Sequence, residues 1–305
     1  MRIVFMGTPQ FAVASLDALI QAGCDIAGVI TAPDKPAGRG QKVSESAVKQ
    51  YAVANGLKVL QPENLKSPEF LEELKSLQAD LQVVVAFRML PEAVWNMPPK
   101  GTINLHASLL PQYRGAAPIN WVLINGEKES GVTTFFLKHE IDTGDILFTE
   151  KITLNGHETA GELHDRLMNK GAGLLVKTVK AVESGRYNEH PQSEHLPDTG
   201  LKSAPKIFKE LCNIDWTKPA EEVYNLIRGL SPVPTAYTTL NGKILKIFKA
   251  ELQHTQPGIQ PGGFLTDNKT HLKFATKNGF INVTDVQLEG KKRMGIEEFL
   301  RGVKP

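Results

Sequence analysis

Asn104 and His106 place an amide and an imidazole two positions apart in the run Thr102-Ile-Asn-Leu-His106. Side chains alternate along a strand, so these two share one face while Ile103 and Leu105 take the other. Beyond the strand, Pro111, Arg114, Gly115 and Pro118 make a rigid loop. Further on, His139-Glu-Ile-Asp142-Thr-Gly-Asp145 comes after an expected strand at 132–138. Open α/β sheets hold ligands beyond the carboxyl ends of their strands, so Asn104, His106 and Asp142 can meet in one crevice. There an imidazole exchanges a proton near neutral pH. An amide N–H donates to the oxyanion of an attacked carbonyl, and a carboxylate orients the imidazole and stabilises its charged form. With no serine or cysteine nucleophile assigned among them, the set suits acyl transfer from a bound donor to an external amine.

Each residue also has a plainer reading. A strand histidine is often a hydrogen-bonded structural residue, and Asp142 can simply cap its turn. His106, His139 and Asp142 as metal ligands lack an H-E-x-x-H motif or a cysteine cluster in support. Ser108 as a nucleophile lacks the G-x-S-x-G elbow.

The surrounding pattern supplies the elements that must position these groups. Residues 2–6 read as a buried strand, Thr8-Pro9 as a helix start, and Asp25–Thr31 as a second strand. That βαβ unit begins a parallel sheet. A single glycine at the first turn falls short of G-x-G-x-x-G and weighs against a dinucleotide. Helices near 44–55, 67–78, 117–125 and 159–183 alternate with strands at 58–60, 81–87, 102–106 and 132–138. The stretch Ala32–Lys42 is too rich in proline and glycine to predict an element. Its Lys35, Arg39 and Lys42 suit a phosphate-seeking loop, or a solvated one.

After residue 185 the pattern changes. Pro191, Pro197, Gly200 and Pro205 mark an extended connector. Asn241-Gly242 between apolar-alternating runs signals a hairpin, and short strands are expected near 263–265, 271–275 and 280–284. The fold expected is a Rossmann-like, mostly parallel α/β sheet with helices on both faces, then a small OB-like β-barrel. The boundaries are a catalytic domain at 1–184, a linker at 185–206 and a basic domain at 207–305.

Net charge is +2 over 305 residues, but it divides unevenly. Residues 1–200 hold 19 Lys/Arg against 23 Asp/Glu, and residues 201–305 hold 16 against 10. The excess of +6 in the second part suggests a polyanionic partner such as RNA. Two cysteines far apart, no long apolar run and no leader pattern predict a cytoplasmic protein, and nothing demands more than a monomer.

Asn104-Leu-His106, Ser108-Leu-Leu-Pro111, Tyr113-Arg-Gly115 and Asp142-Thr-Gly-Asp145 resemble the formyltransferases that use 10-formyltetrahydrofolate. Val4-Phe-Met-Gly7-Thr-Pro9, the loop Pro33–Gly40 and the basic C-terminal part narrow the resemblance to the branch acting on methionyl-tRNA. It extends over essentially the whole chain. The resemblance implies that Asn104, His106 and Asp142 are catalytic. It implies that Phe87, Arg88, Met89 and Leu90, with Ser108, Leu109, Leu110 and Pro111, border the folate. Arg39, Lys42 and Lys206 would meet methionyl initiator tRNA, 10-formyltetrahydrofolate would be the co-substrate, and no metal is implied. The chain departs from the family pattern twice. Ala86-Phe-Arg-Met-Leu-Pro91 is one residue shorter than the common Ala-Tyr-Gly-x-Ile-Leu-Pro. Val233 stands where many relatives carry tryptophan between two prolines.

Overall fold

The computed structural model describes residues 1–37, 42–196 and 200–305. They form two compact units. The first comprises Met1–Arg114, Gly131–Ile152 and His164–Lys202, and the second Gly115–Ser130, Thr153–Leu163 and Ser203–Pro305.

β1 (Arg2–Gly7), α1 (Gln10–Gln21) and β2 (Asp25–Ile30) form the expected βαβ unit, with β1 and β2 parallel. α1 is capped by Pro9 rather than by Thr8, without a side-chain hydrogen bond. β3 (Lys35–Ala37) and β4 (Lys42–Ser44) pair antiparallel, so the flanks of the Pro/Gly-rich stretch are an element where none was expected. A two-stranded ribbon has only edges, where the missing N–H of a proline is tolerated. α2 (Ala47–Ala54) and α3 (Pro68–Ser76) start at Ser46 and Ser67, whose side chains accept from Lys49 N–H and Phe70 N–H. Caps of this kind contribute about 1 kcal/mol each. β5 (Val59–Leu60), β6 (Leu81–Val85), α4 (Glu92–Trp95) and β7 (Thr102–His106) continue the alternation. β8 (Arg114–Gly115), α5 (Pro118–Ile124), β9 (Glu129–Phe136), β10 (Ile146–Thr153) and α6 (Ala160–Ser184) come next.

The large sheet has the order β10-β9-β7-β6-β1-β2-β5. Strands β5, β2, β1, β6 and β7 run parallel, and β9 is antiparallel to β7. Because β1 lies between β2 and β6, the strand order reverses there, and such a reversal opens a crevice at the carboxyl ends of the strands. All five residues of β6 are buried, as a strand covered on both faces requires. Val4, Met6 and Val84 pack on one face with Phe70 and Leu74 of α3. On β7, Leu105 packs against α6 at Gly171, where a Cβ would come 2.8 Å from Leu105 Cδ2. That contact commits Leu105 to the helix side and turns Asn104 and His106 to the opposite face.

The second unit contains β11 (Ser203–Ala204), α7 (Ala220–Leu230) and the strands β12 (Ala236–Leu240), β13 (Lys243–Gln253), β14 (Phe264–Thr266), β15 (Leu272–Ala275), β16 (Phe280–Leu288) and β17 (Met294–Gly295), then α8 (Ile296–Gly302). The expected small barrel takes the form of an antiparallel half-barrel of order β12-β13-β16-β15-β14, with β17 on β16. Asn241 and Gly242 both take positive φ, +48° and +75°, as the tight turn between β12 and β13 requires. Leu245, Ile247, Val283 and Val286 pack with Val223, Ile227 and Leu230 of α7, a helix absent from the expected elements. Trp216 stacks on Phe274 at 4.7 Å between ring centres. α5 crosses α7 closely at Gly229, where a Cβ would lie 2.7 Å from Ile124 Cγ1. Among the described residues no helix is long and apolar enough to cross a membrane.

Candidate active site

The register of β7 sets the site. Asn104 lies opposite Phe135 and His106 opposite Thr133 of β9, so both stand late in β7 on the face away from α6. The Asn104 side chain makes no hydrogen bond among the described residues and is only partly buried, which leaves its amide able to donate to a ligand. His106 is 7% exposed, and its Nε2 lies 2.9 Å from Tyr113 O. A carbonyl only accepts, so Nε2 carries the proton and Nδ1 is the nitrogen left to take another.

Nδ1 faces Asp142, with Oδ2 at 3.8 Å. Asp142 sits in the loop after β9 with φ +54°, in the left-handed region. Two residues on, Gly144 lies against β9, where a Cβ would be 1.6 Å from Phe136 O, so no other residue fits. Phe136 N–H donates to Asp145 O at 3.2 Å, and Lys138 pairs with Asp145 at 2.5 Å. The loop is closed on its own strand, which presents Asp142 beside β7.

Sequence reasoning missed two parts of this assembly. One is Tyr113 O, which holds the imidazole. The other is Gln192, in a 3-10 turn at Gln192–His195, whose amide donates to Asp142 O and Gly144 O at 2.8 Å each. Its carbonyl oxygen accepts from Arg114 Nε and Nη2 at 3.0 and 2.6 Å. A glutamine after a proline in a polar connector carries no local signal for such a role. Residues 185–196 belong to the first unit, with His190 and Ile146 exchanging backbone hydrogen bonds at 2.8 and 2.9 Å.

The residues singled out for the folate divide by what their polar groups do. Ser108 is fully buried; its Oγ donates to Gln112 O at 2.7 Å, and its carbonyl accepts from Thr133 Oγ1. Arg88 donates to Glu63 O at 2.9 Å and to Pro62 O, with its guanidinium 5.7 Å from the centre of the Phe87 ring. Both groups are spent on shaping their loops. Leu110 and Pro111 are buried, Leu110 among Phe135 and Ile146. Phe87, Leu90 and Leu109 are partly exposed and Met89 is 74% exposed, an apolar surface beside the ends of β6 and β7. Gly131 lets Leu109 lie flat on β9; a Cβ there would be 2.4 Å from Leu109 Cδ2.

Arg39 falls outside the described residues. The backbone of Lys42 pairs with Ala37, and Lys206 is exposed in the second unit with Nζ 5.6 Å from the centre of the Phe208 ring. Cys24 and Cys212 are free thiols pushed up by burial, which keeps them protonated and poorly nucleophilic. A cavity of about 460 Å³ beside Phe148, Arg186, Tyr187 and His190 shares no lining residue with Asn104, His106 or Asp142.

A family model described as formyl transferase matches residues 1–179, and one described as formyl transferase, C-terminal domain, matches residues 206–304. The chain belongs to the formyl transferase family. Its relatives include proteins named methionyl-tRNA formyltransferase from Bacteroides fragilis and Parabacteroides distasonis. The first is 52% identical over 99% of this chain and 95% of its own, the second 54% over 100% and 96%. Among solved structures, the sugar 3N-formyl transferase WlaRD, crystallised in the presence of dTDP and 5-N-formyl-THF, superposes with a TM-score of 0.69 at 21% identity, over 96% of this chain and 99% of that one. HypX from Aquifex aeolicus, in complex with tetrahydrofolic acid, gives 0.67 at 18% identity; this formyl transferase covers 48% of that longer chain. At such identities the likeness shows the fold.

Proposed function

We propose that this chain transfers the formyl group of 10-formyltetrahydrofolate to the α-amino group of methionyl-initiator tRNA, for translation initiation, as a monomer in the cytoplasm. The observation that carries the substrate is identity of 52% and 54%, across both parts of the chain, to proteins named methionyl-tRNA formyltransferase. Residues 1–184 are the catalytic domain, 185–206 the connector, and 207–305 the basic tRNA-binding domain.

The folate site fits the residues present. Phe87, Met89, Leu90 and Leu109 offer apolar surface for a flat ring system, while Arg88, Ser108, Leu110 and Pro111 hold that surface in place. The co-substrate supplies a formyl group on nitrogen, and the acceptor supplies a primary amine. Asn104 donates its side-chain N–H to the formyl oxygen as negative charge develops there. As the amine adds to the formyl carbon, His106 takes its proton at Nδ1, and the Asp142 carboxylate stabilises the charged ring; the bond from the formyl carbon to N10 then breaks, and N10 leaves with that proton as tetrahydrofolate. The amine must be neutral to attack, so activity falls in acid. Arg39, Lys42 and Lys206 meet the tRNA, the first two from the 33–44 segment.

The test is incubation with formyl-labelled 10-formyltetrahydrofolate and methionyl-tRNA, beside uncharged initiator tRNA. Label is expected on methionine alone. No label on methionine refutes the assignment.

A further inference from the structure

We propose that Gln192 is a positioning residue for the His106–Asp142 pair, joining through one amide the backbone of Asp142 and Gly144 to the side chain of Arg114. The proposal rests on the reading of His106 and Asp142 as catalytic.

Gln192 is 3% exposed, yet every neighbour from Asn188 to Leu196 is exposed. A polar side chain buried alone from an exposed segment calls for an explanation. Its bonding capacity is fully used. The two N–H groups donate to Asp142 O and Gly144 O, and the two lone pairs of Oε1 accept from Arg114 Nε and Nη2. The reversed amide would set its oxygen against two carbonyls and its N–H groups against a guanidinium, so the orientation is forced.

The groups it joins flank the imidazole. Arg114 is next in the chain to Tyr113, whose carbonyl takes the proton of His106 Nε2. Asp142, held through its own carbonyl, faces His106 Nδ1. Asp142 also has positive φ, a left-handed conformation that aspartate tolerates better than most L-residues. Gln192 supplies a hydrogen bond to that residue, and the His190–Ile146 backbone pair anchors the turn from which it reaches.

The test compares Gln192→Glu, Asp142→Asn and the double variant in the full chain. Glutamate still accepts from Arg114 but cannot donate to either carbonyl. Gln192→Glu is expected to lower kcat about 10- to 100-fold while KM for methionyl-tRNA stays within about twofold. The His106 ring N–H signal in the NMR spectrum, identified by its loss in His106→Ala, should shift. In the Asp142→Asn background the same change should cost little more, because Gln192 acts through Asp142. A merely structural glutamine would instead add its effect in both backgrounds. If Asp142→Asn is inactive while Gln192→Glu and Gln192→Ala keep kcat within about twofold and leave the ring signal in place, the proposal fails alone. If Asp142→Asn retains full activity, the reading of the pair fails and the proposal falls with it.

Discussion

His106 Nδ1 lies 3.8 Å from Asp142 Oδ2, joining the end of one strand to the loop after another. That is too long for a hydrogen bond. The carboxylate therefore faces the ring without a hydrogen bond fixing the two together.

Asp142→Asn keeps the shape of the carboxylate and removes its charge. Steady-state kinetics should show kcat lower by about 100-fold or more, and His106→Ala should lose a similar amount. On the proposed role of its amide as donor to the formyl oxygen, Asn104→Ala should cost about 10²- to 10³-fold in kcat. KM for methionyl-tRNA should move little in all three. A large rise in KM at constant kcat would mean that these groups bind rather than catalyse.

Gly144→Ala asks a Cβ to share space with Phe136 O. The loop must shift, so thermal unfolding should occur several degrees lower, about 1–3 kcal/mol of destabilisation, with most of the formylation rate lost. A variant of parental melting temperature and activity would show that the loop is not closed on β9 as described.

Thr159 and Glu162 form a reciprocal cap at the start of α6. Thr159 N–H donates to Glu162 Oε2 at 2.8 Å, and Glu162 N–H donates to Thr159 Oγ1 at 3.3 Å. The Thr159 backbone N–H is the main reason the Glu162 carboxyl is held below its ordinary value. A depressed carboxyl stabilises the fold above its unfolded-state pKa, about 4.3 for glutamate, and that stability is lost as pH falls through the folded value. Melting temperature against pH should therefore drop in acid more shallowly for Glu162→Gln than for the parent. Parallel curves would remove the cap from the account.

Arg228 is 4% exposed and its guanidinium reaches Asn225 Oδ1 at 2.8 Å, Leu123 O at 3.3 Å and Glu158 O at 3.4 Å. It ties α5, α7 and the segment before α6 inside the second unit. Arg228→Ala strands those acceptors and should lower stability by about 3 kcal/mol. Calorimetry should show the loss, with folate affinity retained. An unchanged melting profile would contradict the bonding described.

Salt separates the two kinds of binding. Affinity for tRNA should fall steeply with ionic strength, since cations on the second unit displace counterions from phosphates, with a log–log slope of roughly −0.7 to −0.9 per phosphate met. Folate affinity should change far less. Equal sensitivity of the two would count against the basic domain as the RNA-binding part.

The sequence by itself determined whatever rests on local rules. Asn104 and His106 share a face because strand side chains alternate, and Asn241-Gly242 turns a hairpin because that turn needs two positive φ angles. Ser46 and Ser67 start helices because an N-cap needs only the next few residues. Tertiary structure alone decided the rest. The pairing of Lys35–Ala37 with Lys42–Ser44 is one that the proline and glycine content of the stretch argued against. α7 takes its place from the strands that it covers. Asp142 reaches His106 only because Gly144 closes the loop on Phe136. Gln192 meets Asp142 and Arg114 from 50 and 78 residues away. A hydrogen bond between residues so distant depends on the whole path of the chain between them, and no local propensity or spacing encodes that path. The residue types singled out an amide, an imidazole and a carboxylate; packing chose which backbone groups hold the imidazole and the carboxylate loop in place.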